Sequence, residues 1–199
     1  DDDERFAGTD PSNPDTDGDS LPDGVDAFPL YPSVRLYVDV TAPARDINDA
    51  TPDGLSWQDA LPSLQDALTL ARRSQHAFID QVMGTGASTF NTLGNALATW
   101  NGGGFTPTQE EDIRTKARAL IGQIWVAEGT YYPHDGTGLP LTGADASFDL
   151  LEQLAIYGGF RGRQDTSGAG YEDRLDQRRS DPLVGGTVLS GAKPGATPS

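Results

Sequence analysis

The sequence predicts a mainly β chain with a helical insertion, preceded by an irregular acidic segment. Three observations predict it. Residues 1–26 carry ten acidic groups and one base, Arg5, more than half of the chain's net charge of -16. Short runs rich in β-forming residues, bounded by Gly, Pro and Asp, occur at 35–40 and again from residue 123 onward. Between them, from about 74 to 121, apolar residues recur at helical spacing. A chain of 199 residues is long enough for one sizeable core plus a small appendage.

The acidic segment comes first. In "DTDGDSLPDGVD" the acids Asp15, Asp17, Asp19, Asp23 and Asp26 fall at positions 1, 3, 5, 9 and 12, with Leu21 at position 7. Those are the ligand positions of a twelve-residue calcium loop, in which position 7 offers its backbone carbonyl. Calcium is a hard cation that takes six to eight oxygens, and it relieves the repulsion of clustered carboxylates. A solvated acidic linker is the competing reading, and the regular spacing argues against it. The loop departs from an EF-hand. Position 6 is Ser20 rather than glycine, position 12 is the shorter Asp26, and Pro11, Pro14, Pro29 and Pro32 forbid flanking helices. Residues 1–33 hold few large apolar side chains, so metal is expected to supply much of their folding free energy.

The stretch "TDPSNPDTDGDSLPDGVDAFP" resembles a bacterial thrombospondin type 3 repeat, over residues 1 to about 29. The resemblance implies a chain wrapped around calcium with little apolar core. Asp1 and Glu4 repeat the spacing of Asp23 and Asp26, 22 residues earlier, as would the tail of a preceding repeat. Asp10 and Asn13 stand where a neighbouring ion would be shared. On this reading the chain is a piece of something longer.

A strand is expected at "RLYVDV" (35–40). Ser56 is the expected N-cap of the helix that follows, with Asp59 in its first turn and Leu61, Leu64, Leu68 and Ala71 forming one stripe. Pro62 forces a break or restart near residue 61. Trp57 is expected to anchor a core.

In the helical block, Phe90, Leu93, Leu97 and Trp100 recur at helical intervals, and "NGGG" stops the segment. The next helix has Thr106 as cap, Pro107 at the first position and Gln109 closing a capping box. Ile113, Ala117, Leu120 and Ile121 make its buried face, and Gly122 is its expected end. Beyond it, "QIWVAEGTYYP", "ASFDLL", "LAIYGGF" and "GTVLSG" read as short strands. Their spacing suits stacked solenoid coils, and a small sandwich fits the periodicity as well.

"LYVDV", "DGLSWQDALPSLQDAL", "IWVAEGTYYP", "SFDLLEQLAIYGGF", "QRRSD" and "TVLSG" resemble, in order, the N-terminal part of bacterial secreted right-handed parallel β-helix proteins of pectin-lyase-like architecture. The resemblance covers 35–73 and 122–191. It implies a cap helix, with Leu61, Leu64 and Leu68 over the solenoid end, followed by the first rungs. The block at about 74–121 departs from the family and reads as an insertion. The expected domains are therefore a calcium-binding repeat at 1–33 and, at 34–199, the cap and first rungs of a β-helix, with further rungs beyond the chain's end.

Composition excludes some functions. A chain this acidic is ill suited to nucleic acid. No apolar run reaches a membrane span, and the absence of cysteine removes disulfides and thiolate metal sites. Catalytic groups are sparse. His134 adjoins Asp135 in a glycine-rich turn, His76 lies on a helical segment, and Asp145 and Asp149 are a conceivable carboxylate pair. Arg161, Arg163, Arg174, Arg178 and Arg179 either balance nearby acids or form an anionic-glycan patch. The expectation is a non-enzymatic, calcium-stabilised stalk and cap of an extracellular or cell-surface protein. It would serve adhesion or assembly, with glycans or surface proteins as partners. The alternative is the N-terminal part of a polysaccharide lyase or hydrolase.

Overall fold

The computed structural model describes residues 8–19, 22–24, 26, 29–30, 32–43, 53–134, 147–164, 172–179 and 186–190. The described residues form a mixed α/β structure. The strands are β1 (Val34–Val38), β2 (Ile121–Ala127), β3 (Gly129–Tyr131), β4 (Ala155–Phe160) and β5 (Thr187–Leu189). The helices are α1 (Leu64–Met83), α2 (Leu93–Asn101) and α3 (Pro107–Ala117). One sheet has the order β1-β2-β4, and β3 pairs in parallel with β5.

This corrects the expected β-helix. Among the described residues no strand exceeds the seven residues of β2, and the strands sort into a three-stranded and a two-stranded sheet rather than repeating coils. Residues 147–150, expected in a strand, have no regular structure. Leu61, Leu64 and Leu68 are buried as expected of a cap. Leu61 also forms an isolated parallel bridge with Val38.

The chain divides into two compact units. The first comprises Asp1–Val34, Leu70–Gln123 and Leu151–Ala155. Its core joins Phe78, Ile79 and Val82 of α1 to Leu93, Ala96 and Trp100 of α2 and to Ile113 and Ala117 of α3, with Leu120 beyond. Burying each of the large side chains contributes about 1.5–3 kcal/mol. Phe78 meets Trp100 edge to face at 5.6 Å. Thr92 caps α2, and the Glu152 carboxylate accepts from the Leu93 N–H at 2.6 Å. A negative charge there complements the helix dipole. At α3 the Thr106–Gln109 capping box and the N-terminal proline are as expected. The helix nevertheless ends at Ala117, with Arg118 as its C-cap, so Gly122 lies inside β2 rather than closing the helix. Phe90, on the expected stripe, is 88% exposed because it precedes the helix.

The second unit comprises Arg35–Thr69, Ile124–Leu150 and Ile156–Ser199. The expected cap Ser56 starts no helix, because Pro62 delays it. Ser63 caps α1 instead, its Oγ accepting from the N–H groups of Gln65 at 3.1 Å and Asp66 at 3.3 Å. The core is aromatic. Trp125 stacks on Phe160 at 4.5 Å, Tyr37 meets Trp57 edge-on at 4.8 Å, and the Arg35 guanidinium lies 3.9 Å over the Trp125 ring. Trp57 anchors this core, and its indole N–H donates to the Glu172 carbonyl at 2.7 Å.

Two buried carboxylates hold one turn of this unit. The N–H groups of Arg161 and Gly162 donate to Glu172 Oε2 at 2.6 and 3.2 Å, and that of Arg163 donates to Asp39 Oδ2 at 2.8 Å. The other Asp39 oxygen accepts from Thr41 N–H at 2.8 Å and its hydroxyl at 2.6 Å. Gly162 has φ +62°, and a Cβ there would lie 2.6 Å from both Asp39 Oδ2 and Ala127 Cβ. Only glycine fits this turn without displacement.

Candidate metal centre

The acidic loop lies in the first unit and is built almost entirely from side chains bonded to backbone. Asp10 Oδ1 accepts from Ser12 N–H and hydroxyl at 2.9 and 2.7 Å. The Ser12 hydroxyl, followed by its N–H, holds the Asp10 carboxyl below the usual range. Asn13 Oδ1 accepts from Asp15 N–H at 3.2 Å. Asp15 Oδ1 accepts from Gly18 N–H at 2.8 Å, and Asp17 Oδ1 from Asp19 N–H at 3.1 Å. Such turns are what short acidic side chains favour where neither helix nor strand can form.

The result brings three carboxylates together. One oxygen each of Asp15, Asp17 and Asp19 lies within 4.8 Å of the others. Two oxygens on opposite sides of one calcium ion stand about 4.6–5.2 Å apart, so the group can embrace a single ion. Asp17 carries the cost of the gathering. Its Oδ2 is buried and accepts no hydrogen bond. Its pKa is pushed up to about 6, first by burial and then by the charges of Asp19, Asp15 and Asp23, against the opposing bond from Asp19 N–H. An all-oxygen, half-buried set with one unsatisfied carboxylate oxygen fits a hard divalent cation.

Asp23 and Asp26 stand outside this group. Asp23 clamps Thr16, accepting from its N–H and its hydroxyl at 2.7 Å each. It thereby fixes the residue between Asp15 and Asp17. Asp26 is half-buried, and its N–H donates to the Pro22 carbonyl at 3.1 Å. Asp10 and Asn13 are spent on turns. Asp1, Glu4 and Leu21 lie outside the described residues.

Asp19 ties the loop to its unit. Its Oδ2 accepts from Ser33 N–H at 3.2 Å, Ser33 hydroxyl at 2.9 Å and Gln123 amide at 3.3 Å. Neither Ser33 nor Gln123 is acidic, so charge spacing alone gives no signal for them.

The other candidates lie apart from this cluster. His134 is buried, not exposed in a turn, and its Nε2 meets the Ser63 hydroxyl. Asp66 Oδ1 is 3.7 Å from the same nitrogen. A catalytic triad would need the acid on Nδ1 and a free nucleophile. Ser63 and Asp66 both approach Nε2, and Ser63 already accepts two N–H bonds as helix cap. Asp135 and Asp145 lie outside the described residues, and Asp149 is in a segment without regular structure. His76 is an exposed residue of α1. Arg174 pairs with Asp176, its Nε 3.0 Å from Oδ1. Arg179 pairs with Glu128 at 2.9 Å, and Arg178 lies over Tyr157 at 5.6 Å. The Arg163 guanidinium donates to the Gln58 carbonyl, and Arg161 is exposed. These arginines are therefore mostly engaged within the fold.

No family model, curated protein or solved structure matches the chain.

Proposed function

We propose that the acidic segment is a calcium-dependent structural module, and that the protein is non-enzymatic and works outside the cell or at its surface, in adhesion or assembly. The observation that carries this reading is the convergence of Asp15, Asp17 and Asp19 with a buried Asp17 oxygen that accepts no hydrogen bond. Calcium is favoured over magnesium for two reasons. It accepts irregular shells of six to eight oxygens at about 2.3–2.6 Å, whereas magnesium demands a tight octahedron and dehydrates reluctantly. The loop also supplies few carboxylates, so water and backbone carbonyls must complete the shell. A modest site of this kind fills at the high calcium levels outside cells. The thrombospondin-like spacing of the loop supports the same reading.

Calorimetric titration of chelator-treated protein tests it. Calcium is expected to bind exothermically or with proton release, magnesium at least tenfold more weakly, and the Asp17→Asn variant poorly. Absence of calcium binding at about millimolar concentration, the weak end for extracellular modules, would reject the reading.

A further inference from the structure

A cleft formed by none of the carboxylate cluster's own residues lies in the first unit. This cleft of about 470 Å³ is bounded by Trp100 and Asn101 at the end of α2, by Glu110, Arg114 and Arg118 along α3, and by Leu30 and Pro32. That volume falls in the lower part of the range of small-molecule sites. Residues 110, 114 and 118 follow at four-residue steps, so they line one face of the helix. Arg114 is held 3.5 Å from Glu110, with the arginine still half exposed. Arg118 follows as the C-cap, and among the described residues no carboxylate pairs with it. One fixed guanidinium, one spare guanidinium and one carboxylate leave the cleft a formal charge of +1, in a chain of -16.

From this geometry we infer that the cleft binds a small hydroxylated monocarboxylate. The planar guanidinium fork of Arg118 matches a carboxylate through two parallel N–H bonds. A single negative charge balances the cleft, whereas a dianion would be left uncompensated within a strongly negative surface. Glu110 and the Asn101 amide line the same cleft and supply acceptors and donors for hydroxyl groups. Leu30, Pro32 and the rim of Trp100 supply an apolar wall for the ligand's C–H face. Phosphate esters and neutral polyols of the same size lack one or other of these matches.

Gluconate, sorbitol and 6-phosphogluconate are the probes. They share a six-carbon hydroxylated chain and differ in charge. Each is titrated calorimetrically into the calcium-loaded protein, up to about 10 mM, a range that captures millimolar affinity. Gluconate is expected to bind at least tenfold more tightly than either of the others. Arg118→Ala is expected to weaken gluconate at least tenfold, the loss typical of a hydrogen bond to a charged group. Arg118→Lys, which keeps the charge without the fork, should fall between. Unchanged thermal unfolding checks that each variant is folded. Gluconate binding that fails to appear, matches sorbitol, or survives Arg118→Ala would overturn the assignment. Tighter binding of 6-phosphogluconate would overturn the monoanion specificity.

Discussion

Gly162→Ala tests whether the turn held by Asp39 and Glu172 organises the second unit. Two costs add. At φ +62° a non-glycine residue is strained by about 1–2 kcal/mol. The new Cβ would also stand 2.6 Å from Asp39 Oδ2 and from Ala127 Cβ, well inside van der Waals contact. Ala127 belongs to the fully buried strand β2, so it cannot retreat cheaply. Relief must come from the carboxylate, which would loosen its bond to Arg163 N–H, a charge-assisted bond contributing about 1.5–3 kcal/mol. The sum is about 2.5–5 kcal/mol. For a unit of roughly a hundred residues that lowers the melting temperature by about 10–25 °C. Near-ultraviolet circular dichroism follows the loss directly, since Trp57, Trp125 and Phe160 form that core. A Gly162→Ala protein melting within about 3 °C of the parent, less than 1 kcal/mol, would show that the turn yields freely and that the two carboxylates do not fix it.

Four further outcomes are expected. With chelator present, the raised Asp17 pKa means that its protonated form favours folding: the benefit is complete below the ordinary value of 3.8 and is lost as pH rises through about 6. The acidic segment without metal should therefore resist protease better at pH 4 than at pH 7. Calcium affinity should run the opposite way, falling about tenfold from pH 7 to pH 5 as Asp17 takes up its proton, with proton release on binding below pH 6. Flat affinity across that interval would remove Asp17 from the ligand set. Ser33→Ala takes away the 2.9 Å bond that steadies Asp19 and should weaken calcium about threefold to tenfold without abolishing it; equal affinity in titration would refute the tether. Ser63→Ala strips α1 of its cap and leaves buried His134 without the hydroxyl, for a loss of about 1–2 kcal/mol in denaturant unfolding.

Some of this protein is written locally in its sequence. Thr106, Pro107 and Gln109 start α3 because a capping box needs only residues three apart. The acids at 15, 17 and 19 meet because short acidic side chains close turns on N–H groups two or three residues away. Pro62 set the limit on α1, yet the choice of Ser63 over Ser56 as cap depended on which hydroxyl the packed chain left in place. Other features exist only through tertiary structure. Asp19 is fastened by Ser33 and Gln123, the N-terminus of α2 by Glu152, and one turn by nearby Glu172 together with Asp39 from far along the chain. The sheets were the hardest to foresee. Alternation marks a segment as a strand but says nothing of its partner, so the same short runs suit a solenoid coil, a sandwich or the two small sheets found here. Strand pairing is decided by which buried faces meet, and here Trp57, Trp125 and Phe160, drawn from three separate stretches of the chain, pack into one aromatic core.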